Sequence, residues 1–83
     1  MADKRVETLA WFAEQMGAKL ERDRHKGDHW QQVGVPQLFF LLQEELQELA
    51  FAIIQRDPAE VAGEAADVAN YAMMIADCFR QRR

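Results

Sequence analysis

The chain has 83 residues, 49% of them hydrophobic and 29% charged, with a formal net charge of −4. That balance excludes a wholly disordered chain, and the length allows one domain, residues 1–83, around one small core. No apolar run approaches the ~18 residues that a membrane span requires, and a lone cysteine, Cys78, cannot build a disulfide framework.

Val6, Leu9, Phe12, Ala13, Met16 and Leu20 recur at three- and four-residue steps, which predicts a first helix with one buried face. Asp3 is placed to cap it, and Gly27, after Arg24, His25 and Lys26, to stop it. Residues 27–35 then read as a loop carrying Trp30. Pro36 suits a first helical position and opens a second helix that runs to about Arg56. Leu38, Leu42, Leu46, Leu49 and Ile53 form its expected core face. Asp57-Pro58-Ala59-Glu60 reads as N-cap, N1, N2 and capping-box acid of a third helix. This helix reaches about Phe79, and Arg80, Arg82 and Arg83 follow as a frayed, solvated end.

Two or three linking residues force the second and third helices into an antiparallel hairpin, so an all-α fold is expected. In the third helix Val61, Ala65, Val68, Ala72, Ile75 and Phe79 form one stripe, while Ala62, Ala66, Ala69, Met73, Met74 and Ala76 make the remaining faces apolar too. A helix of that kind needs cover on more than one side. The expectation is a three-helix chain that assembles into an oligomeric helical bundle, as a homodimer or homotetramer.

The charge is unevenly spread. Residues 37–79 hold Arg56 as their one basic residue against Glu44, Glu45, Glu48, Asp57, Glu60, Glu64, Asp67 and Asp77. An acidic centre disfavours a nucleic-acid partner or an anionic membrane and favours a site for cations. Lys4 and Arg5 lead into Glu7 and Glu14 rather than an apolar stretch, so no secretory leader is expected. One cysteine also fits a reducing cytoplasm, which is the expected location.

At about 100° per residue, Glu45 and Glu48 fall on the shoulder of the second helix's apolar stripe, and Glu64 and Asp67 on that of the third. Folding the hairpin about Asp57 brings the two pairs within ~3 Å in height. Four carboxylates gathered in one partly buried spot repel one another, and only Arg56 is near in sequence to compensate. A hard divalent cation resolves the conflict. An oxygen donor set without thiolate or imidazole suits Mg²⁺, with Mn²⁺ as the alternative. A merely solvated acidic face accounts for Glu44 and Glu60 but not for Glu64, which is set between Val68 and Tyr71.

Other residues suit a phosphate-bearing ligand. Lys26, with Lys19 or Arg22, offers positive charge to phosphate, and Trp30 is placed either to stack on a base or to plug the bundle end. Asn70, one turn beyond Asp67, reaches either a substrate or a neighbouring helix. Trp11 and Phe12 read as core or interface, and Cys78 as an apolar filler. A zinc pair from His25 and His29 is disfavoured by Gly27 and Asp28 between them, and a di-iron bundle by the lack of any histidine after Trp30.

Glu44-Glu45-Leu46-Gln47-Glu48 followed by Glu64-Ala65-Ala66-Asp67 resembles the EExxE and ExxD motifs of MazG-like all-α nucleoside triphosphate pyrophosphohydrolases, a group related to dimeric dUTPases. The likeness covers about residues 36–79, and the stretch with Asn70, Tyr71, Met73, Met74 and Asp77 is similar to short members. It implies an oligomer that binds Mg²⁺ through Glu45, Glu48, Glu64 and Asp67. It further implies hydrolysis of a nucleoside triphosphate, non-standard or deoxy forms included, to monophosphate and pyrophosphate. Glu45 is the candidate for orienting or deprotonating the water. The competing reading is a MazG-like binding or scaffold protein without turnover.

Overall fold

A computed structural model describes residues 3–23 and 30–80, in which four helices follow one another: α1 (Lys4–Arg22), α2 (Trp30–Val33), α3 (Val35–Gln55) and α4 (Pro58–Arg80). The expected caps are formed by side chains. Asp3 Oδ1 accepts from the Arg5 amide at 2.8 Å, and Asp57 Oδ1 accepts from the amides of Ala59 and Glu60 at 3.1 and 3.4 Å. Between α3 and α4, Arg56 adopts a left-handed conformation (φ 59°) and returns its N–H to the carbonyls of Ala52 and Ile53. Arg56 and Asp57 alone link the antiparallel pair, as the spacing predicts.

The loop expected over 27–35 is corrected. Trp30–Val33 winds into a short helix, and Gly34, at φ 98°, turns the chain directly into α3. Four residues cannot sustain a helix alone. Contacts with α4 hold this one: the Trp30 indole N–H and the Gln31 amide donate to Asp77 Oδ2 at 2.9 and 3.0 Å, and Cys78 Sγ lies 3.9 Å from the Trp30 carbonyl. The chain therefore has a fourth, tertiary-dependent helix that no local periodicity announces. At its other end α1 stops at Arg22, with Asp23 donating back to the Lys19 carbonyl. The predicted stop at Gly27 lies outside the described residues, as do Lys26, Arg82 and Arg83.

α4 is the central element. α1, α2 and α3 all pack on it and α2 also touches α3, whereas α1 and α3 do not meet. This explains why α4 is apolar on several faces, with Ala66 fully buried. It also leaves an open groove, with α4 as floor and α1 and α3 as walls.

The core is thin: Leu38, Ala52, Ala66, Cys78 and the polar Asn70 are its buried members among the described residues. The expected α3 core face needs correction, because Leu46 and Ile53 are 44% and 55% exposed. The stripe that meets α4 runs instead through Leu38, Leu42, Glu45, Leu49 and Ala52. Apolar residues on α3 populate two faces, one against α4 and one uncovered in the single chain, so averaging over them misplaces the inner direction. In α1, likewise, Val6 and Leu9 are exposed while Phe12, Met16 and Leu20 are half-buried. No described helix is long and apolar enough to cross a membrane.

Candidate active site

With the inner stripe of α3 relocated, Glu45 lies near its centre rather than on its shoulder, between Leu42 and Leu49 and one face away from solvent-exposed Glu44. It therefore points its carboxylate at α4, where Glu64 and Asp67, three residues apart, share a face. One carboxylate oxygen from each of Glu45, Glu64 and Asp67 lies within 4.8 Å of the other two. Glu48 is exposed and stands outside this trio, but it lines the same concavity of about 530 Å³ together with Lys19, Arg22 and Gly63. Three of the four predicted metal ligands thus converge, and the fourth borders them.

Burial and the neighbouring charges are visible in the protonation of Glu45. Burial first, then the charges of Asp67 and Glu64, a hydrogen bond with Glu64 and the charge of Glu48 raise the Glu45 carboxyl from 4.5 to about 7. Burial, followed by the carboxylates of Glu45, Asp67, Asp23 and Glu44, likewise pushes the Tyr71 phenol above its usual range.

The compensating cation is not Arg56, which lines an apolar concavity at the turn with Trp11, Phe12 and Pro58. It is Lys19, reaching across from α1 to place Nζ 3.0 Å from Asp67 Oδ2, with both side chains about 15% exposed (15% and 16%). A Cβ at Gly63 would stand 3.7 Å from that Nζ, so the glycine leaves the ammonium room against α4. Lys19 was expected to serve phosphate; in the structure its partner is a carboxylate. Nothing in local spacing reveals the pairing, because it depends on how α1 lies across α4.

A second concavity of about 380 Å³ shares Lys19, Arg22, Glu45 and Asp67 with the first and continues past Trp30, Leu41, Asn70 and Tyr71. Trp30 is tied at its indole N–H and half-buried, so it closes the end of the bundle and also lines the cavity. Asn70, 4% exposed, donates from Nδ2 to the Met16 carbonyl at 3.1 Å, and its Oδ1 has no hydrogen-bond partner among the described residues. It does reach a neighbouring helix, and it borders the cavity as well. Arg22 sits at the rim, its Nε 3.7 Å from Asp23.

Asp77 has a role the sequence reading did not assign. It accepts from Trp30 and Gln31 and pairs with Arg80 at 2.7 Å, so Arg80 belongs to an anchored helix end and not to a frayed tail. The spacing of Asp77 and Arg80 was a readable signal for that pair.

The convergent donors are all oxygens. Ligand oxygens at ~2.0–2.1 Å from an octahedral Mg²⁺ stand roughly 3–4 Å apart, a spacing the trio reaches with little movement. Together with a carboxyl raised by burial and by its neighbours, this donor set fits a hard divalent cation. Neither a curated protein nor a solved structure matches the chain at a significant level. The profile of the family described as phosphoribosyl-ATP pyrophosphohydrolase does match, over residues 9–79, a stretch that contains every residue of both concavities. The match supports the MazG-like all-α superfamily and no specific tie to dUTPases. The chain belongs to the phosphoribosyl-ATP pyrophosphohydrolase family, a family of pyrophosphohydrolase enzymes.

Proposed function

We propose that this chain hydrolyses a nucleoside triphosphate to the monophosphate and pyrophosphate, with Mg²⁺ (or Mn²⁺) held by Glu45, Glu64 and Asp67 and bordered by Glu48. The observation that carries this reading is the trio of carboxylate oxygens within 4.8 Å on the floor and wall of one groove. The family match supports the reaction class, and phosphoribosyl-ATP, the substrate in the family's name, is itself a nucleoside triphosphate.

The bound ion would supply charge neutralisation at the phosphate oxygens and make water more acidic. Glu45 orients the attacking water and accepts its proton. The water oxygen bonds to the α-phosphorus, the bond from that phosphorus to the bridging oxygen breaks, and pyrophosphate leaves with the electron pair. Lys19 and Arg22 border both concavities, where a phosphate chain would pass between them. Lys26 is proposed to add to that positive edge. Trp30 and Asn70 line the cavity next door, where a base would sit against the indole.

The active species is proposed to be a homodimer or homotetramer in the cytoplasm. The chain exposes 6492 Å², against about 5,100 Å² expected for a compact monomer of 9.6 kDa. Phe40, Phe51, Ile53 and Ile54 are each more than half exposed on α3.

The test is pyrophosphate release from a panel of standard, deoxy and modified triphosphates and phosphoribosyl-ATP, with Mg²⁺ present. Glu45→Gln is expected to cut turnover by about 10²–10⁴-fold. Metal binding without turnover of any nucleotide would leave the non-catalytic binding or scaffold reading standing.

A further inference from the structure

Lys19 stands on the seam between two concavities that share it with Arg22, Glu45 and Asp67. On one side are the carboxylates of Glu45, Glu64 and Asp67; on the other is the cavity that Trp30, Asn70 and Tyr71 line. Its ammonium is committed to Asp67 at 3.0 Å, and the pair is largely buried. Yet Asp67 is one of the three oxygen donors that the proposed cation would use. One carboxylate therefore has two claimants.

The chemistry of the lysine decides what such a conflict means. An ammonium is a compact point charge with rotatable donors on a flexible stem, unlike a planar guanidinium locked to one partner. The bare side of Gly63, 3.7 Å from Nζ at the position of an added Cβ, sets no side chain against the ammonium. From the seam the same ammonium can serve either neighbour, carboxylate or phosphate, and a phosphate chain entering beside the carboxylates brings the negative charge that would draw it.

We propose that Lys19 is an exchangeable counter-cation: it holds Asp67 in the metal-free chain, yields that carboxylate to the divalent ion, and then pairs with the phosphate chain of the substrate. This rests on the metal and phosphate reading given above and adds a specific coupling to it. While Lys19 occupies Asp67 it opposes metal binding, and once a phosphate ligand engages it the opposition is gone. Metal and polyphosphate then favour each other's binding, reciprocally, as linkage requires.

Removing the ammonium should move two affinities in opposite directions, which neither a structural strut nor a simple phosphate ligand would do. In Lys19→Met, Mn²⁺ binding without nucleotide, read by electron paramagnetic resonance, is expected to tighten about 5- to 10-fold. Binding of inorganic tripolyphosphate at saturating Mg²⁺ is expected to weaken by at least roughly 10-fold. Lys19→Gln, one atom shorter but still carrying a neutral donor toward Asp67, should show the same two signs and guards against misfolding of the methionine variant. Mn²⁺ binding that stays equal or weakens in both variants would overturn the proposal, and so would tripolyphosphate affinity that stays unchanged. A wild-type chain that binds no Mn²⁺ would instead remove the metal reading itself, so the two failures are distinguishable.

Discussion

One side of α3 turns Glu45 toward α4, into the company of two more carboxylates and a largely buried lysine. The opposite side holds Phe40, Phe51 and Ile54 in the open, at 53%, 62% and 72% exposure. A carboxylate thus sits inside an otherwise apolar inner stripe while large apolar side chains face outward, and folding of an isolated domain favours neither. The two faces are incomplete in different ways. The groove needs positive charge, only part of which Lys19 supplies, and the outer face needs apolar cover. A small ion can satisfy the first, but only a surface of protein size can satisfy the second.

The most direct way to break that comparison is to charge the outer face. Phe51→Glu with Ile54→Asp is expected to convert the proposed oligomer into a 9.6 kDa monomer by sedimentation, a loss of association of roughly 10²-fold given two desolvated charges. The helical circular-dichroism signal should survive, since both side chains are exposed in the single chain. A wild-type chain that sediments as a monomer at high concentration would show that the outer face is tolerated bare, and the contrast would then be one of degree.

Anchoring on the groove side is tested at Asp77. Its side chain is 12% exposed and fixes α2 through Trp30 and Gln31. Asp77→Ala is expected to destabilise the fold by about 1–3 kcal/mol, because the half-buried Trp30 indole N–H loses a charged acceptor. In a Trp11→Phe background the remaining indole should show lower fluorescence anisotropy, and KM should rise by roughly 10-fold with kcat changed less. Unaltered anisotropy would mean that packing alone holds the ring, and that the bond at 2.9 Å contributes little to the cavity wall.

These residues also mark where sequence reasoning succeeds and where it stops. Asp3, Arg56 and Asp57 act on amides or carbonyls a few positions away, and such chemistry is written in the local order of residues. The meeting of Glu45 with Glu64 and Asp67 follows from helical rise and a two-residue link, so its height along the hairpin was legible. The rotation of α3 was not, because Leu46 and Ile53 match the helical period as well as the true inner residues do. Lys19 with Asp67 and Trp30 with Asp77 join positions nearly fifty apart, 48 and 47 residues respectively. Their pairing depends on how α1 and α2 dock on α4, which a local period leaves undetermined.

The smallest expected effect is also the one whose sign is easiest to get wrong. Glu45 takes up its proton at about 7 in the folded chain, against 4.5 for the unreacted side chain. Between those values the folded state holds a proton that the unfolded state has released, so folding stability must fall as pH rises through the window from about 4.5 to about 7. Solvent reaches much of this carboxyl, which limits the effect to about 1 kcal/mol. Urea unfolding of the metal-free chain in a chelator should therefore give a higher midpoint at pH 5 than at pH 8, and Glu45→Gln should flatten that difference. Saturating Mg²⁺ should act in the opposite sense, stabilising the chain more at pH 8 than at pH 5, because deprotonated carboxylates bind the ion and protonated ones do not. A metal-free chain that grows more stable from pH 5 to pH 8 would mean that Lys19 already satisfies the groove, and the asymmetry between the two faces of α3 would lose its electrostatic half.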